Sequence, residues 1–259
     1  MSRGGARRRP RGPEELPPPL PPETRTVGQV VAEAIRLYGA RFWPSLALGI
    51  GPALGGVMLA ELPRTLAWAL LPTVGTALWA AAFVGACRLA YDERPGSSVV
   101  AFVLAFEAFL PLVLQRLAVL PGFDLVTLAF FAFASLAVPA ALVEGLRLPQ
   151  ALRRGAQLAR ADYVHALGSV ATLVITIFLT GLALFFAIRS GGEQAVRVSA
   201  FLALLVLSPV FLLGSALLYL DQAARVVDSR PRPRRRADAD LHPALDADAP
   251  GRADAQGES

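Results

Sequence analysis

Long runs of apolar residues set the pattern of this chain. Six runs are each about 20 residues long, which is the length that a helix needs to cross the hydrocarbon core of a bilayer. Inside lipid the backbone polar groups must be satisfied within the chain, and a helix does this locally. The pattern therefore predicts an all-α, polytopic bundle of six transmembrane helices, at residues 42–60, 65–87, 99–120, 125–143, 167–188 and 200–220.

Two shorter segments, before the first and fifth spans, carry apolar residues on one side of a helix and polar residues on the other. The first opens at Thr26, whose spacing to Gln29 fits a capping box, and the second has Pro149 in its first turn. Both are too polar to span, so we expect two interfacial amphipathic helices. When Gln29 is aligned with Gln150, the apolar and polar positions of the two segments coincide. Each segment also precedes a span that starts from the same side of the membrane. This predicts a parallel internal repeat of spans 1–2 and 5–6.

Polar tails flank the predicted membrane domain, which covers residues 26–225. Residues 1–25 are rich in Arg and Pro, and residues 226–259 are basic and then acidic, so both are expected to be disordered. Polar sequence resumes at Asp221, where the chain is expected to leave the membrane. With six spans, 21 of the 25 arginines lie on the side of the termini, and the positive-inside rule places that side in the cytoplasm. The tail arginines either only fix this topology or also hold anionic phospholipid, and the tails offer sites for a protein partner.

Composition excludes several kinds of chemistry. Only 17% of the residues are charged, against about 25% in a soluble domain, so much of the surface is expected to face lipid. All 25 basic residues are Arg, which excludes P-loop and Schiff-base lysines. The single cysteine, Cys87, cannot form a disulfide within the chain. His165 falls at the start of the fifth span and is interpreted as an interfacial residue, and His242 falls in the acidic tail, so the two histidines do not suggest a metal site. No catalytic, cofactor-binding or metal residue is assigned, and no nucleic-acid partner is expected.

Glu107 is the most unusual polar residue, because it falls inside the third span. It lies about 12 Å along the helix from the start of that span, where a charge costs about 2.5–3.5 kcal/mol on insertion scales. One interpretation is proton or cation coupling, or an ion pair with an arginine. The other is a protonated side chain, or one bonded to a neighbouring helix. Arg116 falls on the opposite face of the same helix and cannot pair with Glu107 directly.

A second charged group follows the fourth span. Glu144, Arg147, Arg153 and Arg154 fall between spans 4 and 5. Arginines at helix ends suit the phosphate of a phospholipid headgroup. The alternative is a salt-bridge clasp that holds the second amphipathic helix to span 4.

Three stretches resemble the bacterial six-span membrane proteins related to the membrane domain of glycerophosphoryl diester phosphodiesterase. They are TVGQVVAEAIRLYGARFWPSL, VPAALVEGLRLPQALRRGAQLARADY and ALLYLDQAARV. The family signature between spans 4 and 5 is matched here by Pro139, Glu144, Gly145, Ala151, Leu152, Arg153, Arg154 and Leu158. Gly155 stands where the family usually has Ser, and Ala223 where Arg is common. The likeness covers residues 26–225 and implies a multi-pass protein of the bacterial inner membrane that lacks the catalytic domain of the phosphodiesterase.

The sequence therefore favours a non-enzymatic integral membrane protein with a structural, regulatory or lipid-interacting role. The alternative is a small transporter, or an accessory subunit of one, that uses Glu107. A Gly51-x-x-x-Gly55 spacing in span 1 predicts close helix packing, which we expect within the bundle. The oligomeric state stays open.

Overall fold

A computed structural model describes residues 25–91, 95–118, 123–188 and 191–228, and these residues form helices without any strand. Six helical stretches are long and apolar enough to cross a membrane, one for each predicted span including the third. They lie at Phe42–Glu61, Arg64–Ala90, Ser98–Gln115, Phe123–Val143, Tyr163–Ala187 and Gln194–Val226. The tails at 1–24 and 229–259 lie outside the described residues.

Eleven helices build this part of the chain, because three of the spans are interrupted. The helices are α1 (Val27–Ala40), α2 (Phe42–Leu48), α3 (Ile50–Glu61), α4 (Arg64–Leu70), α5 (Thr76–Ala90), α6 (Ser98–Ala118), α7 (Phe123–Ala134), α8 (Ala137–Val143), α9 (Leu148–Ala161), α10 (Tyr163–Ile188) and α11 (Glu193–Asp228). A π-helical turn, Leu71–Gly75, joins α4 to α5.

Prolines account for the interruptions. Proline has no backbone N–H, so the carbonyl four residues earlier loses its helical donor. Pro52 leaves Leu48 without one, and α2 ends at Leu48. Pro139 does the same to Ser135, and α7 ends one residue before it; Pro72 lies in the π-helical turn. Two further prolines, 111 and 209, lie inside helices that continue through them.

The centre of the bundle is aromatic. Phe83, Phe109, Phe131 and Phe211 come from four different spans and are buried. Their ring centroids lie 5.7 Å apart for Phe83 and Phe109, 4.9 Å for Phe109 and Phe131, and 5.3 Å for Phe131 and Phe211. Aromatic pairs at such distances add stability beyond the area they bury. Spans 2, 3, 4 and 6 are therefore joined in one core.

Close helix packing in span 1 is intramolecular, as expected. A Cβ at Gly51 would lie 2.7 Å from the backbone oxygen of Leu78, and one at Gly55 would lie 3.5 Å from the Trp79 ring nitrogen. Both neighbours are in α5. The small residues let the α3 backbone approach α5 more closely than side chains would allow.

The two short helices before spans 1 and 5 each bury one side against the bundle. In α1 these residues are Val30, Val31 and Ala34, and the helix packs on α10 and α11. The backbone N–H of Thr26 donates to Gln29 Oε1 at 2.7 Å, which confirms the Gln29 half of the predicted capping box. In contrast, α9 packs mainly on α8. A Cβ at Gly155 would lie 2.8 Å from the backbone nitrogen of Ala137, so Gly155 allows α9 to cross α8 at short distance.

The two longest helices extend beyond the stretches predicted for spans 5 and 6. Helix α10 already begins at Tyr163, and α11 continues through Asp221 to Asp228. The last helix therefore does not end at Asp221, where the polar sequence resumes. Polar residues at these ends have partners on neighbouring elements, so the helices continue where the hydrophobic pattern stops.

Candidate functional site

The strongest polar cluster lies at one end of the bundle, which we call the polar end. Helices α5, α8 and α11 end there, α6 and α10 begin there, and α1 and α9 lie across it. Its centre is Asp221, whose side chain is fully buried on the last turns of α11. Asp221 Oδ2 lies 2.7 Å from His165 Nε2, in the first turn of α10. At this distance the two groups form a hydrogen bond, in which the role of Nε2 depends on the tautomer of His165.

Arg225 completes this cluster one turn further along α11. Its Nη2 lies 3.8 Å from Asp221 Oδ2, and its Nη1 donates to Asp162 Oδ2 at 3.0 Å. The same Nη2 lies 3.3 Å from His165 Nε2 and donates to the backbone carbonyl of Arg25 at 2.9 Å. One guanidinium therefore connects α11, the start of α10 and the segment just before α1.

Asp162 has a second function as the residue directly before α10. Its Oδ1 accepts from the backbone N–H of His165 at 3.1 Å, which satisfies a free donor in the first helical turn. Its backbone carbonyl accepts from Gln222 Nε2 at 3.2 Å. The short link between α9 and α10 is held against α11 by both groups. We call Asp162, His165, Asp221, Gln222 and Arg225 the Asp221 network.

Glu144 forms a separate contact at the same end. Its Oε1 accepts from Arg154 Nε at 2.8 Å and from the Tyr219 hydroxyl at 2.6 Å. The three residues belong to the end of span 4, to α9 and to α11. The arrangement is the salt-bridge clasp that was one of the two sequence interpretations. Charge-assisted hydrogen bonds of this kind are stronger than neutral ones.

Tyr91 adds a neutral contact beside the clasp. Its hydroxyl donates to the backbone carbonyl of Ala216, and its ring meets the Tyr219 ring edge-on at 6.0 Å. Burial raises the pKa of Tyr91 well above its ordinary value of 10.0, and the neighbouring Cys87 and Tyr219 act in the same direction. Tyr91 therefore stays neutral and keeps its hydrogen bond at physiological pH.

The remaining residues of the predicted charged group do not join the clasp. The side chains of Arg147 and Arg153 are exposed, and Arg153 forms no ion pair with any described residue. Arg160, two turns after Arg153 on the same side of α9, is likewise exposed. Leu148 and Leu152, on the edge of the same helix, are 39% and 49% exposed. The outer side of α9 thus combines arginines with apolar side chains.

Glu107 lies far from these groups, near the middle of the 21-residue α6. Its side chain is exposed and makes no hydrogen bond or ion pair with any described residue. A transporter that couples to a proton or cation would be expected to hold the carboxyl group within a polar cavity between spans. The position of Glu107 on the outside of α6 does not add support to that alternative. The side chain of Arg116 lies outside the described residues.

Sequence reasoning missed the Asp221 network. It treated His165 as an interfacial residue and Asp221 as the beginning of the tail. Two local signals were present: Asp221 and Arg225 are four residues apart, and Asp162 stands at a helix start. Neither signal identifies the partner across the fold. Within the described ranges, no group of three or more His, Cys, Asp or Glu is placed to hold a metal ion.

No protein-family model, curated protein or solved structure matches this chain. The six membrane-capable helices indicate a multi-pass membrane protein.

Proposed function

We propose that this chain is a non-enzymatic, multi-pass protein of the bacterial inner membrane that binds anionic phospholipid at its polar end. The observation that carries the proposal is the outer side of α9, where exposed Arg153 and Arg160 lie beside the exposed Leu148 and Leu152. One arginine guanidinium group can donate two parallel hydrogen bonds to the oxygens of a phosphate. Leucines at the edge of the same helix suit the boundary between headgroups and acyl chains.

The arginines at the polar end differ in whether they have an acidic partner within the protein, and this difference supports a lipid-binding role. Arg154 and Arg225 are engaged by Glu144 and Asp162 within the protein. Arg153, by contrast, has no acidic partner among the described residues. A structural clasp alone requires only the paired arginines. The exposed Arg153 and Arg160 lie where the phosphate of a lipid headgroup can reach them.

The orientation of the bundle is part of this proposal. The distribution of arginines favours a cytoplasmic polar end with both termini in the cytoplasm. The inner leaflet is also the leaflet in which anionic lipids attract basic segments by up to roughly 1 kcal/mol per arginine. The placement of α1 and α9 in the interface follows from the same argument.

Relation to the phosphodiesterase membrane-domain family also belongs to the proposal. Several residues of the quoted signature have a structural role in this fold. Pro139 lies just after the break between α7 and α8, Gly145 has a positive φ of 66°, and Glu144 binds Arg154. The internal repeat has weaker support, because α1 and α9 pack on different neighbours.

Lipid binding is testable by native mass spectrometry of the purified full chain in detergent. Phosphatidylglycerol and phosphatidylcholine are titrated into wild type and into the double variant Arg153→Gln/Arg160→Gln. At up to roughly 1 kcal/mol per arginine, the double variant should bind phosphatidylglycerol up to about thirtyfold more weakly. Binding of phosphatidylcholine should stay the same.

The control is Arg64→Gln, which removes an exposed arginine at the other end of the bundle. It should leave phosphatidylglycerol binding near the wild-type value. Equal retention of both lipids by wild type, or equal losses in the control and the double variant, would refute a specific site on α9.

A further inference from the structure

A stripe of exposed side chains runs along α6 and contains Glu107. Val99 and Val103 are 72% and 40% exposed, Leu114 is 36% exposed, and Glu107 lies between them. These positions are separated by four, four and seven residues, so they share one side of the helix. The opposite side, with Ala101, Leu104, Ala105, Ala108 and Phe109, is buried in the bundle.

Two acceptor groups meet at the same point of this stripe. The Glu107 carboxyl group has no partner among the described residues. Pro111, four residues later, has no N–H to donate to the backbone carbonyl of Glu107. Acyl chains offer no donor for either oxygen. A face that carries a polar side chain and an under-satisfied carbonyl at mid-span is poorly matched to lipid alone.

A neutral carboxyl group is its own complement. It has one O–H donor and a carbonyl acceptor, so two such groups facing each other form two O–H···O hydrogen bonds and bury no net charge. A two-fold axis brings the same residue of two identical chains face to face. No cation from another protein is required, and this favours a second copy of the chain over an unrelated partner.

We propose that α6 packs against α6 of a second copy in the same orientation, about a two-fold axis along the membrane normal. The two Glu107 carboxyl groups are then hydrogen-bonded to each other. Val103 and Leu114 pack on either side of this contact. Each Glu107 hydroxyl donates to the carboxyl oxygen of the other copy. Polar residues are known to join transmembrane helices in this way, since lipid offers no competing donor.

The test is oxidative crosslinking of the full chain in phosphatidylglycerol–phosphatidylcholine vesicles at several protein-to-lipid ratios. Cysteine is introduced at Val103 or Leu114 on the stripe, or at Ile175 on α10 as the control. Ile175 is 56% exposed but lies on another face. The natural Cys87 is fully buried and stays in place. A disulfide needs Cα atoms within about 7 Å, so only a specific α6 contact should give crosslinked dimer at 103 or 114 and none at 175.

Substitution of Glu107 then separates the hydrogen bond from simple helix contact. Glu107→Gln retains a donor and an acceptor and should keep the crosslinked fraction near that of wild type. Glu107→Leu should weaken dimerisation roughly tenfold, as seen in the dilution at which the crosslink disappears. Both changes lie at an exposed position, so circular dichroism should show the helices intact.

Four results would overturn the proposal. One is a monomer at every protein-to-lipid ratio. Another is equal crosslinking at 103, 114 and 175, which would reflect random collision. The third is undiminished crosslinking in Glu107→Leu, which would show that apolar packing alone holds the copies together. A stable complex with a different membrane protein, in place of the dimer, would also contradict it.

Discussion

Replacing Asp221 with alanine should cost this fold about 3 kcal/mol, because the side chain of Asp221 is fully buried. Removal of one partner from a buried ion pair typically costs 3–5 kcal/mol, since the other charge is left uncompensated. Here the carboxylate faces His165 at 2.7 Å and Arg225 at 3.8 Å, and its side chain is not exposed. Removing it takes away the hydrogen-bond partner of His165 Nε2 and the carboxyl group beside the Arg225 guanidinium.

Two features place the expected loss at the lower end of that range. Arg225 keeps its ion pair with Asp162 at 3.0 Å in the variant. In addition, Asp221 Oδ1 is buried without a hydrogen-bond partner among the described residues, so the native carboxylate is itself incompletely compensated. A loss of about 3 kcal/mol corresponds to a decrease of roughly 150-fold in the folding equilibrium constant.

The matched control is Glu61→Ala. Glu61 pairs with Arg197 at 2.9 Å, but the two side chains are 50% and 52% exposed. Exposed pairs contribute at most about 1 kcal/mol. Equilibrium unfolding of both variants in dodecyl maltoside–SDS mixed micelles, followed by circular dichroism, gives the two free energies of unfolding. If Asp221→Ala loses no more than Glu61→Ala, the Asp221 network does not stabilise the fold.

Two further predictions concern the packing and the titration of the polar end. Gly155→Ala places a Cβ 2.8 Å from the backbone nitrogen of Ala137 and should destabilise the fold by about 1–3 kcal/mol in the same unfolding assay. Gly28→Ala, whose Cβ meets nothing within 4 Å, should be neutral or slightly stabilising; equal losses would refute the close crossing. Burial raises the pKa of Tyr91 above 10.0, so the folded chain keeps a proton that the unfolded chain loses, and stability should fall as the pH rises past 10. Tyr91→Phe should show a shallower alkaline loss, measured as free energy of unfolding against pH, and an unchanged slope would contradict the burial of this hydroxyl.

Features that depend on local pattern were predictable from the sequence. The six spans follow from uninterrupted apolar stretches, and the Gln29 contact at Thr26 follows from spacing alone. The positions of the prolines within the spans are also visible in the sequence. Which of them interrupt a helix is a tertiary property, since α6 continues through Pro111 whereas the fourth span is interrupted near Pro139.

Features that depend on pairing across the fold were not predictable. Asp221 and Arg225 end the hydrophobic pattern, so a hydropathy argument places them outside the span. Their partners, His165 and Asp162, are 56 and 63 residues away. The charged group around Glu144 was found from sequence, but only the structure distinguishes Arg154, which binds Glu144, from the exposed Arg153. Helical spacing sets which residues are neighbours on the surface of one helix, but it does not show which residues of other helices they contact.

The contacts that join the helices differ in burial between the two ends of the bundle, and this difference affects how the helices move. At the polar end, Arg225 joins α11 to Asp162 and to the carbonyl of Arg25 through partly buried contacts. Among the described residues of the other end, the ion pair between spans 1 and 6 is the half-exposed contact of Glu61 with Arg197. Local opening begins where buried contacts are fewest. The half-exposed contact of Glu61 with Arg197 should therefore open more readily than the contacts of Arg225. Spans 1 and 6 can then move apart at that ion pair while α10 and α11 stay joined at the polar end.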